Sequence, residues 1–518
     1  MANGAQALIT TLVDCGVQVC FANPGTSEMH FVAALDAVPQ MRGVLCLFEG
    51  VATGAADGYA RIAGAPAATL LHLGPGLSNG LANLHNARRA HSPVVNIIGD
   101  HATYHKKYDA PLESEIEPLT AWTHGWTRRT TGGEEVGRDV AEAVAAAASA
   151  PGQIANVILP ADISWSDGAT AGVPVRAGRP SDPDPTALAE VAAVLTGGDP
   201  VCLLLGGPAT GAAGLAAADR IAVATGARTL VETFPARLTR GAGVPPIERL
   251  GYLAEQAGSQ LDGIKHLVVA GTRAPVTFFA YPDKPSDLVP DGAAVHTLAG
   301  RDTDVVAALQ QLAEIVAPGT AARGASAAVP ELPTGALTVE NWVQVIGALL
   351  PPQAIISDES NTSGLLLAAA TAGSPQHDVL ALTGGAIGQG LPVAVGAAIA
   401  APDRPVVALQ ADGSAAYTIS ALWTMAREQL DITVVLLNNS AYAILRMELA
   451  RVGADGGGPK AADLLDLRRP EMDFAEIAAG FGVPATVAVS CEDLADQFAA
   501  ALTAPGPHLI DARIPTVL

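Results

Sequence analysis

The sequence predicts an α/β protein built from three doubly wound parallel sheets. Short apolar runs alternate with segments of helical period along nearly the whole chain, the pattern of repeated strand–crossover–strand units. Two aperiodic stretches rich in Gly, Pro and other small residues divide the chain into three spans of similar size. The 518 residues include 54 glycines, and 49% are hydrophobic, enough to fill several separate cores.

The first span, residues 1–167, predicts helices over Gly4–Cys15, Glu28–Val38, Gly50–Ile62, Asn79–Ala90 and Val136–Ala148. Strands are expected at Val17–Ala22, Val44–Phe48, Ala67–Leu73, Val94–Ile98 and Ala155–Leu159, with turns at Asn23–Thr26 and Gly74–Gly76. Residues 168–185 read as a linker. The second span, 186–316, has apolar runs at Val201–Leu205 and His266–Ala270; a second linker covers 317–333. The third span, 334–518, has runs at Ala354–Ser357, Val406–Gln410, Thr433–Leu437 and His508–Ala512.

With 51 acidic and 29 basic residues the net charge is −22, and no basic tract is present to neutralise phosphates, which excludes a nucleic-acid partner. Five scattered cysteines form no C-x-x-C pair and read as reduced thiols. No apolar run is long enough to span a bilayer, and the first residues lack the basic and apolar regions of a secretion signal, so a cytoplasmic protein is expected.

The chemistry concentrates between Pro405 and Met447. One apolar run ends in Asp412-Gly413-Ser414 and the next, Ile432–Leu437, ends in Asn438-Asn439, with Asp412 and Asn439 27 residues apart. Two parallel strands joined by a crossover bring both ends to one sheet edge, where open α/β sheets bind ligands. A carboxylate and an amide oxygen there suit Mg²⁺, which takes hard oxygen ligands and commonly completes its shell with water and phosphate.

The segments DGSAAYTISALWT and NNSAYAILR, with EGxxxGxADGYAR around Glu49, resemble thiamin diphosphate (ThDP) enzymes, most closely in wording benzoylformate decarboxylases and also acetolactate synthase large subunits. Ala411 stands where the family motif usually opens with glycine. The resemblance implies a pyrimidine-binding first domain, a middle domain and a diphosphate-binding third domain. It implies ThDP and Mg²⁺ as cofactors, with Asp412, Asn439 and the Ala441 carbonyl as metal ligands. Gly413, Ser414, Asn361 and Thr362 would approach the diphosphate, Tyr417 and Tyr442 would line the coenzyme site, Gly385 would contact the aminopyrimidine, and Ile387 would bend the coenzyme.

At Glu49 a carboxylate opening a helix is also an ordinary capping choice; the resemblance makes it the acid that hydrogen-bonds the aminopyrimidine and promotes the reactive carbanion. Thr26, otherwise a helix cap, matches a substrate-contacting serine. His72, otherwise a structural histidine, matches a proton relay. A second histidine of the decarboxylases, in the middle domain, is replaced by Ala280. Leu445 matches a pocket wall, and Glu448, otherwise an exposed helix residue, stands where the decarboxylase has a phenylalanine. The loop Gly453–Pro459 reads as a lid.

The implied reaction is non-oxidative decarboxylation of a 2-oxo acid to an enamine, which is protonated to an aldehyde or attacks a second carbonyl. An acetolactate synthase-type transferase is the alternative, and a binding protein without catalysis the third reading. The arginine- and acid-rich flavin segment of acetolactate synthases is not found, so FAD is not expected. Sites shared between subunits imply a homodimer or homotetramer.

Overall fold

The computed structural model describes residues 2–282, 284–454 and 458–516 of the chain. The N-terminal sheet contains β1 (Val19–Ala22), β2 (Arg42–Leu45), β3 (Ala67–Leu71), β4 (Val94–Asp100), β5 (Trp126–Arg129) and β6 (Ile154–Pro160), in the order β2-β1-β3-β4-β6-β5. Every pair in it is parallel. The chain reverses its direction of travel across the sheet between β1 and β3, the place where such sheets hold ligands.

The middle sheet has the order β10-β8-β7-β11-β12, from β7 (Val201–Leu205), β8 (Arg228–Val231), β10 (Glu248–Arg249), β11 (His266–Ala270) and β12 (Ala294–Ala299). Between β8 and β10 lies β9 (Leu238–Arg240), which leaves this sheet and pairs antiparallel with β14 (His377–Ala381) in the third. The C-terminal sheet also contains β13 (Ile355–Glu359), β15 (Val406–Ala411), β16 (Ile432–Asn438), β17 (Ala485–Ala488) and β18 (His508–Arg513), in the order β17-β18-β16-β15-β13-β14-β9. Its other pairs are parallel, including the expected β15–β16 pair.

All residues of β7 and β16 are buried. Helices cover both faces of such strands, which is why they read as unbroken apolar runs. Helix starts follow local chemistry: Asn3 and Gln6 form a reciprocal capping box, and Asp184 and Asp304 accept backbone N–H bonds at their helix starts. No helix among the described residues is long and apolar enough to cross a membrane.

Three expected elements differ. Gly74-Pro75-Gly76 is not a turn; it lies in the first turn of the Leu73–Ala90 helix, where proline is tolerated because its missing N–H has no helical partner. The segment expected as one helix over Glu28–Val38 splits into a 3₁₀ turn (Thr26–Glu28), a short helix (Met29–Ala34) and a second 3₁₀ turn (Leu35–Ala37). The helical segment after Asp412 divides into Asp412–Ala415 and Ala421–Glu428.

The first and third sheets meet through two helices, Glu49–Ala63 and Gly390–Ala400, which share one core with Val51, Ala55, Leu391 and Val393. Their backbones approach so closely that a β-carbon at Gly396 would overlap the Ala55 carbonyl, and one at Gly58 would overlap Val393. Gly396→Ala should therefore destabilise the protein by about 1–3 kcal/mol through overpacking. Gly258→Ala, at an exposed position of the Ala254–Leu261 helix with nothing within 4 Å of the new carbon, should instead stabilise by up to ~1 kcal/mol. Urea unfolding of the two variants checks the opposite signs.

Candidate active site

In the C-terminal sheet four neighbouring strands, β16, β15, β13 and β14, present their carboxyl ends to one edge. Beyond those ends lie Asn439, Asp412, Asn361 with Thr362, and the turn 384–388, in that order. At the usual interstrand spacing the row spans about 14 Å. An elongated ligand would therefore touch these groups in sequence.

Asp412 is 2% exposed. Its carboxylate accepts backbone N–H bonds from Gly413 (2.7 Å) and Ser440 (2.6 Å). Burial pushes its pKa up to about 6, and the surrounding N–H groups only partly offset this. Asn439 Oδ1 accepts from the Ala441 N–H at 3.0 Å, closing a turn in which Ser440 takes the left-handed φ of +54°. Tyr442, at the start of the Ala443–Arg451 helix, rests on Gly413, where a β-carbon would come 2.5 Å from its ring. Tyr417 is 57% exposed and packs against Gly388. Asn361 is exposed with φ +51°, and Thr362 is half-buried beside it. Left-handed backbone at residues other than glycine is costly and clusters at functional sites.

The turn 384–390 is clamped from both sheets. Glu359, buried at the end of β13, accepts from Gly388 N (2.7 Å), Gly390 N (2.7 Å) and Gln410 Nε2 (2.8 Å). Gln410 also donates to Ser414 Oγ at 2.7 Å, which links the turn to the Asp412 segment. Burial raises the Glu359 pKa against these hydrogen bonds. From the N-terminal unit, Asn86 donates to Ala386 O (2.8 Å) and Asn83 to Gly388 O (3.2 Å). Gln389 Nε2 donates to Asp57 at 2.8 Å, and Asp57 forms a bidentate pair with Arg61 at 2.8 and 2.6 Å. Arg61 further donates to Ala381 O and Thr383 Oγ1. Within this frame Ile387 is half-buried and Gly385 has φ +75°.

The N-terminal sheet makes a second cluster at the ends of β2, β1 and β3, which carry Glu49, Thr26 and His72. Glu49 is 5% exposed, and its Oε2 accepts from Asn79 Nδ2 at 2.9 Å. His72 Nδ1 lies 2.8 Å from Glu28 Oε2, which also accepts from Gly25 N at 2.8 Å. Gly25 is required here, because any β-carbon would overlap the His72 ring. Leu73, directly after His72, has φ +49°. Thr26 is exposed beside this group.

Sequence reasoning missed Glu28, which reads as a helix-start carboxylate. The spacing Gly25-x-x-Glu28 was its one signal, since Glu28 does close back on the Gly25 N–H. Asn83 Nδ2 lies between Gly50 O (2.8 Å), next to Glu49, and Gly388 O (3.2 Å) of the turn.

Glu448 is not an exposed helix residue. Its Oε2 accepts from Tyr281 Oη at 2.8 Å, and Tyr281 is 8% exposed. Leu445, one turn earlier, is 46% exposed. Phe278 lies against Gly385, where a β-carbon would be 2.6 Å from Cζ. The lid expected over Gly453–Pro459 falls partly outside the described residues.

Two family models match the chain: the thiamine pyrophosphate enzyme N-terminal TPP binding domain over residues 2–124, and the C-terminal TPP binding domain over residues 362–512. A Mycobacterium tuberculosis protein named "Putative acetolactate synthase large subunit IlvX" is 63% identical, with all of both chains covered. Benzoylformate decarboxylase of Pseudomonas aeruginosa is 31% identical over 97% of each chain. Among solved structures, the thiamine diphosphate-dependent 4-hydroxybenzoylformate decarboxylase of Rhodococcus jostii RHA1 superposes with a TM-score of 0.85 at 26% identity, covering 99% of each chain. With both binding domains matched and full-length relatives on each side, the chain belongs to the thiamine pyrophosphate-dependent enzymes, within the family that includes benzoylformate decarboxylases and acetolactate synthase large subunits.

Proposed function

We propose that the protein is a ThDP- and Mg²⁺-dependent non-oxidative decarboxylase and carboligase of 2-oxo acids. The observation that carries this reading is the row of Asn439, Asp412, Asn361 and the clamped 384–388 turn at four adjacent strand ends. The residues fit the cofactors. Asp412 is buried, and its described hydrogen bonds come from backbone N–H groups, which suits a carboxylate awaiting a cation. Among the described residues no three His, Cys, Asp or Glu side chains converge as a metal cage. That suits Mg²⁺ held by Asp412, Asn439 and the Ala441 carbonyl with diphosphate oxygens. Gly413, Ser414, Asn361 and Thr362 would hold the diphosphate; Gly385, Ile387, Tyr417 and Tyr442 would hold the rings.

Bound ThDP supplies a carbon nucleophile and an electron sink for the departing carboxylate. The chain supplies the rest. Glu49, steadied by Asn79, holds a proton at its carboxylate. His72, with Nδ1 on Glu28 and no partner for Nε2 among the described hydrogen bonds, can move a proton at Nε2 near the substrate. Thr26 flanks it, and Leu445 forms an apolar wall. Glu28→Gln, which keeps a partner for the Gly25 N–H but removes the charge beside His72, should lower turnover about 10-fold or more with ThDP uptake unchanged. Titration of coenzyme and steady-state rates on the same preparation check this.

The pyrimidine-binding part would occupy residues 1–167, the middle part 186–316 and the diphosphate-binding part 334–518. A homodimer or homotetramer that pairs the first cluster with another copy's third domain is part of the reading, as the resemblance to the family implies. The five free cysteines suit a reducing, cytoplasmic setting. No flavin is part of the reading, because the arginine- and acid-rich flavin segment of acetolactate synthases is not found in the sequence.

Release of CO₂ from a panel of 2-oxo acids, dependent on ThDP and Mg²⁺, tests the proposal. A second reading, acetolactate synthase-type transfer, is favoured by the 63% identical relative. Ala280, in place of a relay histidine, supports ligation over aldehyde release. Pyruvate separates the two: acetolactate supports transfer and acetaldehyde supports decarboxylation.

A further inference from the structure

The middle sheet carries a row of four interacting side chains at its β11–β12 edge. His266 is the first residue of β11, and His296 stands on the edge strand β12 opposite Val268. Since His266 and Val268 are two apart on one strand, both histidines lie on the same face of the sheet. His266 Nδ1 and His296 Nε2 are 3.0 Å apart. Each far nitrogen faces a carboxylate: His296 Nδ1 is 2.7 Å from Glu190 on the Pro185–Thr196 helix, and His266 Nε2 is 3.7 Å from Asp199. Backbone bonds from Lys265 and His266 to Pro200 O hold the start of β11 beside Asp199.

Counted in protons, the row is one positive unit short. It has three gaps, Asp199 to His266, His266 to His296 and His296 to Glu190, while two neutral imidazoles carry one N–H each. With both protons on the far nitrogens, each carboxylate faces a donor but two lone pairs meet across 3.0 Å. With the His266 proton on Nδ1 instead, a bare Nε2 faces the Asp199 carboxylate. A cation between the two near nitrogens removes the conflict and leaves both carboxylates as acceptors. Metal-binding histidines are arranged in this way, the second ring nitrogen donating to a carboxylate that fixes the tautomer. The spacing agrees, since two nitrogens about 2.0–2.1 Å from a tetrahedral Zn²⁺ lie about 3.3 Å from each other. The side chains of His266 and His296 are 23% and 13% exposed, and those of Asp199 and Glu190 are 67% and 61% exposed, so water is at hand to complete the shell of an ion held by two nitrogens.

We infer that His266 and His296 bind a divalent transition-metal ion of the Zn²⁺ and Cu²⁺ kind, with Asp199 and Glu190 orienting the two rings. Imidazole suits these ions, whereas Mg²⁺ prefers oxygen, so this site and the one at Asp412 select different metals. The bound ion ties β11, β12 and, through Glu190, the Pro185–Thr196 helix together at an open sheet edge.

The test is equilibrium dialysis of the full chain, supplied with ThDP and Mg²⁺, against Zn²⁺, with bound metal measured directly. The expected result is a Zn²⁺ site on each chain that excess Mg²⁺ does not compete away. Its affinity should fall by roughly 10- to 100-fold in Glu190→Gln, whose exposed side chain the fold does not need, and further in His266→Gln and His296→Gln. Cu²⁺ at the same site should give a paramagnetic resonance spectrum coupled to two imidazoles in the unmodified chain and to one in His296→Gln. Because bound metal is the readout, the result stands whether or not any 2-oxo acid is turned over. Absence of Zn²⁺ uptake overturns the inference, as does uptake that both histidine substitutions leave intact or a Cu²⁺ spectrum without two imidazoles. Melting that responds to pH without Zn²⁺ uptake, the sign of a row that shares only an extra proton, overturns it too.

Discussion

Replacing Glu49 by Gln is expected to lower turnover by about 10²- to 10⁴-fold while leaving ThDP and Mg²⁺ uptake unchanged. That range corresponds to about 2.7–5.5 kcal/mol of lost transition-state stabilisation. The substitution is nearly isosteric, and the amide oxygen can still accept from Asn79, which bonds Glu49 at 2.9 Å. What it removes is the group that can hold and release a proton. The helix behind it, Glu49–Ala63, stays packed on Gly390–Ala400 through contacts that do not involve the carboxylate. Rapid-quench rates with coenzyme titration separate a lost chemical step from a lost cofactor.

Arg61→Leu is expected to destabilise the fold by about 3–5 kcal/mol, because it strips the partner from a buried carboxylate. The Asp57 side chain is 0% exposed and that of Arg61 2%. The substitution also frees the Ala381 carbonyl and Thr383 from their bonds to the guanidinium. Asp57 also receives Gln389, so the 384–390 turn should loosen and coenzyme affinity fall with stability. The double variant Asp57→Leu with Arg61→Met should lose less than Arg61→Leu alone, since no unpaired charge remains. Thermal inactivation half-lives and ThDP titration of the three proteins check both effects.

The position of these groups was legible to different degrees. Asp412 and Asn439 could be placed because their strands are buried on both faces and stand out as unbroken apolar runs that stop at polar residues. Glu49 could be placed as the residue between an apolar run and a helical period, although the strand before it is a partly exposed sheet edge. The Tyr281–Glu448 bond could not, since it joins residues 167 apart that meet only when a middle-span loop folds onto another unit. The bonds from Glu359 to Gly388 and Gly390, and from Asp57 to Gln389, likewise depend on how sheets and helices pack. Three-residue β9 gave no periodicity to read, yet it edges the C-terminal sheet. The left-handed backbone at Leu73 and Ser440 was hidden because their side chains do not signal it, whereas asparagine, as at Asn361, favours that region.

The most direct measurement is calorimetric titration of ThDP into the purified protein, with Mg²⁺ and with a chelator, for the unmodified chain and for Asp412→Ala. The expected result is one ThDP per chain only when Mg²⁺ is present, with uptake by Asp412→Ala at least 100-fold weaker on the order expected for a lost metal ligand. Uptake equal in both proteins, or no uptake by the unmodified chain with Mg²⁺ present, would contradict the assignment of the strand-end row as the coenzyme site.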